Sequence, residues 1–214
     1  MRIAMLSDVY FPRVNGVSTS IQTFRQQLLA LEHSITLICP DYPHTTPQAD
    51  ILRLPSHSVP GDREDRAMSP WALWRLAQRF SHAPAYDILH VHTPFLAHYA
   101  ALRLARQWNC PLVGTFHTFF EQYLFHYLPW LPRQRLIEFT RHWARRQCQC
   151  YDGMIVPSSA LADVLREYGV TTEIPAFRHR ATLSGVQSFA ITQSAPPATS
   201  VRANSVSAAD PNSW

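Results

Sequence analysis

The sequence lacks lysine altogether. All 19 of its basic residues are arginine, and 15 acidic residues leave a formal net charge of +4 at pH 7. Without lysine the chain cannot form a Schiff base through a lysine amine, and it cannot carry a phosphate-binding loop that ends in Gly-Lys-Ser or Gly-Lys-Thr. No apolar run approaches the roughly 18 residues of a membrane span, and the first apolar stretch is too short for a signal-peptide core. These absences predict a cytoplasmic protein.

Several catalytic signatures are missing as well. The chain has no Gly-x-Gly-x-x-Gly motif, which disfavours a dinucleotide-dependent oxidoreductase, and no Gly-x-Ser-x-Gly motif, which argues against an ordinary α/β-hydrolase. No Asp-x-Asp pair is present to chelate a metal together with a nucleoside diphosphate. The four cysteines lack the spacing of a zinc ribbon or of a Cys-x-x-Cys pair, so we expect reduced thiols and no metal site.

Short apolar runs rich in β-branched residues alternate with helical patterns over residues 1–175, which predicts an α/β domain with a Rossmann-like parallel sheet flanked by helices. Strands are expected at residues 2–6, 34–39, 51–54, 88–92, 112–116, 154–156 and 172–174. Helices are expected at residues 16–31, 71–80, 95–108, 133–150 and 159–168. Polar residues 56–67 are predicted as a mobile loop, and Ala- and Ser-rich residues 176–214 as a disordered tail.

The loop between the first strand and the first helix is one candidate site. It ends in Asn15 and Gly16 at the carboxyl edge of the sheet, where open α/β folds bind ligands. Free amides and the helix dipole could receive a phosphate there, and the missing side chain of Gly16 would allow a close approach. Asn-Gly is also an ordinary turn, so the sequence alone leaves both interpretations open.

Histidines stand at the ends of two further strands. His117 follows the strand at residues 112–116 and is expected on the same sheet edge as Gly16, although a single histidine at a strand end is usually structural. His90 and His92 share one face of their strand and could bind a metal, but no third ligand has diagnostic spacing. We therefore interpret these two as packing and hydrogen-bonding residues.

Together with Cys-Tyr-Asp-Gly-Met-Ile-Val-Pro-Ser-Ser at residues 150–159, these segments follow one another as in a known family. Over residues 1–174 the chain resembles the N-terminal domain of the retaining group 1 (family 4) GT-B glycosyltransferases. The resemblance is closest to members that glycosylate diacylglycerol or phosphatidylinositol. It implies transfer of a hexose from a UDP- or GDP-linked donor to an acceptor hydroxyl, on a lipid, with retention and with neither a cofactor nor a required metal.

The resemblance also assigns roles to residues. The loop that matches Asn15 and Gly16 approaches the donor diphosphate in the family, and the histidine that matches His117 contacts the donor sugar, as the catalytic residue expected here. The residues that fall where the family lines its acceptor pocket are Asp8, Tyr10 and Arg13. The family's second domain and its Pro-Asn-Gly-Val-Asp-like hinge are missing after Glu173. We therefore expect a truncation or frameshift near residue 174 and negligible activity from this chain alone.

An aromatic segment that precedes an arginine-rich helix is a candidate for contact with an anionic membrane surface, at the inner face of the membrane. The residues in question are Phe120, Tyr123, Trp130, Arg141 and Arg145. The alternative is that the aromatic side chains are core and the arginines a solvated face. A second function class also stays open, a non-catalytic phosphate- or nucleotide-binding module. Nucleic acid is not expected as a partner, because the arginines are spread along the chain without a recognised binding motif.

Overall fold

The computed structural model describes residues 1–59, 62–79, 86–117, 132–172 and 174. The strands in this part of the chain are β1 (Arg2–Leu6), β2 (Ser34–Pro40), β3 (Ile51–Leu54), β4 (Ser56–Val59), β5 (Asp62–Met68), β6 (Ile88–Val91), β7 (Leu112–Thr115) and β8 (Gly153–Ile155). The helices are α1 (Gly16–Ala30), α2 (Pro70–Arg79), α3 (Leu96–Trp108), α4 (Arg133–Cys148) and α5 (Ser159–Glu167). The alternation of strand and helix therefore follows the sequence pattern closely.

Six strands form one sheet in the order β3-β2-β1-β6-β7-β8, and every neighbouring pair in it is parallel. The chain builds outward from β1 in one direction and then returns to add β6, β7 and β8 on the other side. The strand order consequently reverses between β1 and β6. In open α/β sheets this switch point, at the carboxyl ends of the strands, is where ligands bind.

Helices cover both faces of the sheet because alternate residues of each strand point to opposite sides. On one face, Ile3 and Met5 of β1 pack in one cluster with side chains of α1. On the other face, Ala4 and Leu6 pack in a second cluster with α2 and α3. Met154 of β8 is in register with Gly114 and packs with α4 and α5 in a third cluster. The predicted α/β class with a parallel sheet is confirmed.

The loop predicted at residues 56–67 is wrong, because this segment contributes to the antiparallel hairpin β4–β5. Ser56 pairs with Met68 and Ser58 with Arg66, and the guanidinium of Arg66 donates to the carbonyl of Ser56 at 2.8 Å. The charged run suggested a loop, but cross-strand hydrogen bonds are indifferent to side-chain polarity. A polar hairpin that lies outside the main sheet needs no apolar alternation.

The strand predicted at residues 172–174 is also wrong. Thr172 lies in a bend and Ile174 lies outside any strand. The hydroxyl of Thr172 donates to the carbonyl of Cys148 at 2.6 Å, at the end of α4, so the segment is held by a helix end and not by the edge of the sheet. The predicted domain boundary near residue 175 and the disordered tail at residues 176–214 lie outside the described residues and stay predictions.

Candidate functional site

The loops that follow β1 and β6 meet at the switch point, and Asp8 joins them. The carboxylate of Asp8 accepts a hydrogen bond from the Thr93 hydroxyl at 2.7 Å and from the backbone N–H of Ala97 at 3.0 Å. Phe95, at the N-cap of α3, makes no side-chain cap, so Asp8 caps this helix from the neighbouring loop. Burial raises the pKa of Asp8 to about 6, although the hydrogen bonds act in the opposite direction.

Tyr10 ties the same loop to α1. Its ring is 3% exposed, and its hydroxyl donates to the side-chain oxygen of Gln22 and accepts from the guanidinium of Arg25 at 2.6 Å. Arg25 is itself buried and forms an ion pair with Asp50. The phenol of Tyr10 is therefore engaged within the protein, and burial raises its pKa.

Arg13 links the loop to the hairpin. It forms ion pairs with Glu64 and, at 3.2 Å, with Asp65, both on β5. The guanidinium of Arg53, on β3, also donates to the backbone carbonyl of Phe11 at 2.9 Å. The loop after β1 is thus fixed by α1, by the sheet and by the hairpin. A loop held at three points can present its backbone amides in a constant geometry.

Asn15 and Gly16 begin α1. The side-chain oxygen of Asn15 accepts a hydrogen bond from the backbone N–H of Ser18 at 2.8 Å, which makes Asn15 the N-cap. A Cβ atom built on Gly16 would meet no other atom within 4 Å. The fold therefore has no steric need for glycine at this position. The space in front of Gly16 is open, so an anionic group could approach the backbone at this helix N-terminus.

Three histidines lie together on the face of the sheet that α1 covers. His92 Nδ1 is 3.1 Å from His117 Nε2, and the two rings stack with centroids 5.4 Å apart. The ring of His90 lies 4.0 Å from that of His92, and His90 Nε2 is 2.6 Å from the hydroxyl of Thr115. Phe24 of α1 packs against both rings, at 5.2 Å and 5.7 Å. Contacts through Phe24 and His92 therefore connect α1 with His117.

These histidines are neutral at physiological pH. Burial lowers the pKa of His117 to about 4 and that of His90 to about 3, and it lowers the pKa of His92 as well. Neutral imidazole is a ligand form for metals, but no group of three or more His, Cys, Asp or Glu side chains in the described ranges is arranged to hold a metal ion. What the cluster offers is uncharged hydrogen-bonding groups at the carboxyl edge of the sheet.

Gly114, three residues before His117, has a steric reason for its identity. A Cβ atom at this position would lie 2.5 Å from the ring of Tyr151, which packs against the strand here. The hydroxyl of Tyr151 is in turn 2.7 Å from His98 Nδ1 on α3. The glycine of β7 thus lets an aromatic ring pack directly on the strand that carries His117.

Comparison with known proteins identifies the family. The model described as Glycosyltransferase Family 4 matches residues 14–175. This chain belongs to glycosyltransferase family 4. Over 179 residues it is 30% identical to an alpha-monoglucosyldiacylglycerol synthase of Streptococcus pneumoniae, covering 81% of this chain and 39% of that protein. Over 176 residues it is 26% identical to a GDP-mannose-dependent alpha-mannosyltransferase of Mycolicibacterium smegmatis, covering 79% of this chain and 45% of that protein.

A solved structure supports the fold of the family 4 domain. A sucrose-phosphate synthase from Thermosynechococcus elongatus superposes with a TM-score of 0.51 at 13% identity, covering 81% of this chain and 86% of that chain. The predicted Rossmann-like fold of a GT-B N-terminal domain is confirmed. The resemblance to a lipid glycosyltransferase domain is also confirmed. The chain spans about two fifths of the length of the curated relatives it matches.

The residues singled out for membrane contact divide into two groups. Phe120, Tyr123 and Trp130 lie outside the described residues. Arg141 and Arg145 are exposed on α4, and the guanidinium of Arg141 lies 5.1 Å from the centroid of the Tyr168 ring. In the described part of the family 4 domain, no helix is both long and apolar enough to cross a membrane.

Sequence reasoning found most of the residues at the switch point but missed two of their contacts. Asp8 caps α3 through the backbone N–H of Ala97, 89 positions away in the chain, and no local sequence pattern predicts this contact. The contact of His92 with His117 could have been inferred from the sequence, because β6 and β7 are neighbouring strands and a histidine lies within two residues after the end of each. The roles in donor and acceptor binding given to Asp8, Tyr10, Arg13, Asn15, Gly16 and His117 stay predictions.

Proposed function

We propose that this chain is the acceptor-side half of a retaining glycosyltransferase that moves a hexose from a nucleoside diphosphate sugar to a hydroxyl group of a lipid. The observation that carries the proposal is the open space in front of Gly16 at the start of α1, on the same sheet edge as His117. A glycine at the start of a helix on this edge would let a ligand approach its backbone closely.

The chemistry fits the donor end of such a reaction. When the sugar leaves, negative charge develops on the nucleoside diphosphate, and backbone amides at a helix N-terminus stabilise that charge without reorganising. Of the first backbone amides of α1, only that of Ser18 donates a hydrogen bond to Asn15 Oδ1. His117, neutral at pH 7, would offer a hydrogen bond to a hydroxyl of the sugar without adding charge.

The donor is UDP-glucose or GDP-mannose in this proposal. One relative is named for its dependence on GDP-mannose, and the other is named for a glucosyl-diacylglycerol product. The loop that carries Asp8, Tyr10 and Arg13 would form the floor beneath the acceptor. Because the side chains of Asp8, Tyr10 and Arg13 are engaged in hydrogen bonds and ion pairs within the protein, they would hold this loop in a fixed position beneath the acceptor. One wall of the cleft leaves a donor largely in water, so we propose that this chain alone has no measurable transferase activity.

The lipid acceptor would be reached at an anionic membrane surface on the cytoplasmic side. Helices α2, α3 and α4 lie on one face of the sheet together with α5. These three contain nine of the 19 arginines but only one of the 15 acidic residues, Glu138, whereas α5 contains Asp163, Arg166 and Glu167. The large aromatic side chains that are exposed in the described ranges belong to these helices or to the residue before α3, and they are Trp71, Trp74, Phe95, Tyr99 and Phe139. Arginine interleaved with exposed aromatic groups is typical of surfaces that lie at a bilayer interface.

The binding test uses the full chain with UDP-glucose and with GDP-mannose, measured by calorimetry. We expect one donor to bind and Gly16→Ala to weaken it about tenfold, equivalent to about 1.4 kcal/mol, because a methyl group fills the space in front of the amides. Gly153→Ala is the matched control, since a Cβ atom there also meets nothing within 4 Å but lies at the start of β8, on the opposite edge of the sheet. Equal affinity in all three proteins would contradict the proposal.

Membrane contact is tested by flotation with vesicles that contain phosphatidylglycerol or only phosphatidylcholine. We expect binding to the anionic vesicles alone, reduced at high salt and by the double change Arg141→Gln and Arg145→Gln. Arg2→Gln, outside the three helices, removes one positive charge as a control and should leave flotation unchanged. Binding that ignores lipid charge would refute the membrane part of the proposal.

A further inference from the structure

His92 and His117 are joined by one N–H···N hydrogen bond between their rings. The distance of 3.1 Å between His92 Nδ1 and His117 Nε2 is that of a hydrogen bond, in which one nitrogen donates and the other accepts. Each neutral imidazole carries one proton on one of its two nitrogens. The direction of this single bond therefore decides where the proton of His117 resides.

The second nitrogen of His92 decides between the two directions. His92 Nε2 is buried and has no hydrogen-bond partner among the residues described. If His117 donated, His92 would carry its proton on Nε2, as a buried N–H group without an acceptor. If His92 donates, Nε2 is instead an unpaired acceptor, and buried acceptors without a partner are less rare in proteins than buried N–H donors without one.

We propose that His92 is a positioning residue that donates its Nδ1–H to His117 Nε2 and so fixes His117 as the Nδ1–H tautomer. His117 then presents an N–H donor from its other nitrogen. Of the three histidines, His117 is the one with a partly exposed side chain, whereas His90 and His92 are 5% and 3% exposed. The role of that donor toward an oxygen of the nucleotide sugar rests on the proposed function, but the tautomer itself does not.

The packing around His92 suits a fixed donor. The Phe24 ring of α1 packs against the His92 ring, with centroids 5.7 Å apart, and the His90 ring packs against it with centroids 4.0 Å apart. His90 Nε2 is in turn 2.6 Å from the Thr115 hydroxyl. The backbone N–H of His92 donates to the carbonyl of Leu6 at 3.0 Å, which anchors the residue to β1. A ring enclosed in this way cannot turn to exchange its nitrogens without displacing its neighbours.

The test reads the tautomer directly, from long-range ¹H–¹⁵N spectra of the full chain with ¹⁵N-labelled histidine at pH 7. We expect His117 to carry its proton on Nδ1 in the wild type, with the signal assigned by its loss in His117→Asn. His92→Phe keeps the ring volume without a donor and should shift His117 toward the Nε2–H tautomer that predominates for histidine in water. His92→Asn, whose amide branches at the same carbon as the imidazole, can place an N–H near the Nδ1 position and should restore the wild-type tautomer.

A wild-type His117 protonated on Nε2 would overturn the proposal, and this result needs no variant to fold. An unchanged Nδ1–H tautomer in folded His92→Phe would overturn it equally. For the donor that binds the wild-type chain, His92→Phe should reduce affinity about fivefold and His92→Asn should not, since a neutral hydrogen bond contributes about 1 kcal/mol. If neither donor binds the wild type, the proposed function fails while the tautomer measurement still decides the role of His92.

Discussion

Gly114→Ala provides a sharp test of the packing behind the site. The added methyl group would lie 2.5 Å from the ring of Tyr151. This is closer than non-bonded carbon atoms approach in proteins, so the ring or the strand must shift. Overpacking of a buried site lowers the free energy of unfolding by about 1–3 kcal/mol. If the ring moves away, the bond between the Tyr151 hydroxyl and His98 is lost too, and an unpaired buried group costs about 1–3 kcal/mol more.

Together these terms predict that Gly114→Ala loses about 2–6 kcal/mol of unfolding free energy, or about 4–24 °C in Tm for a domain of this size. Urea denaturation followed by circular dichroism measures the loss. Gly153→Ala is the control, because a Cβ atom there meets open space and should change stability by less than about 1 kcal/mol.

A double-mutant cycle tests whether the clash with the Tyr151 ring causes the loss of unfolding free energy. In the background Tyr151→Leu, which removes the ring, the same Gly114→Ala change should be markedly less destabilising, and the two changes should be non-additive. A Gly114→Ala protein as stable as the wild type would refute the reasoning. Equal losses with and without the Tyr151 ring would show that the clash is not the cause.

Three further outcomes are expected. Gly16→Ala should fold at least as stably as the wild type, and gain up to about 0.5–1 kcal/mol, because alanine is the better helix former and has room there; a clear loss in urea denaturation would contradict the open space. Stability should rise with pH between about 4 and 6.5, because burial lowers the pKa of His98 and of His117 from 6.5 to about 4 and the unfolded state therefore binds more protons in this window. A flat profile would show that these histidines are not buried as described. Asp8→Ala should lower stability by about 1–2 kcal/mol through loss of the α3 cap. The loss should be greater at pH 4 than at pH 7.5, because the folded pKa of Asp8, about 6, lies above its ordinary 3.8, so the contribution of this residue falls as pH rises through this range. The opposite trend would contradict the burial of this carboxyl group.

The sequence predicted those elements whose cause is local. The strand at residues 2–6 and the short strand at residues 51–54 have the expected bounds, and Gly169 closes α5 with a φ of +77°, a conformation that glycine adopts without strain. Alternating apolar runs and helical periodicity, bounded by proline and glycine, are sufficient for such elements. They also determined that the sheet is parallel, because crossover helices leave little alternative.

What the sequence did not predict depends on contacts between distant segments. The hairpin β4–β5 forms from polar residues that resemble a loop, and it is fastened by the ion pairs of Arg13 with Glu64 and Asp65. The cap that Asp8 gives to α3 and the hydrogen bond between two histidines depend on which strands become neighbours. Their geometry follows only after the strand order β1-β6-β7 is known.

The central claim is that the amides at the start of α1 and the imidazole of His117 border one binding site for a nucleotide sugar. Its most direct test is a titration of the ¹⁵N-labelled chain with the donor that binds, with the Gly16 amide and the His117 ring nitrogens observed in the same spectra. We predict that both signals shift with one common dissociation constant, while the amide of Gly153 at the opposite sheet edge does not move. Shifts at only one of the two positions, or two different dissociation constants, would contradict the account.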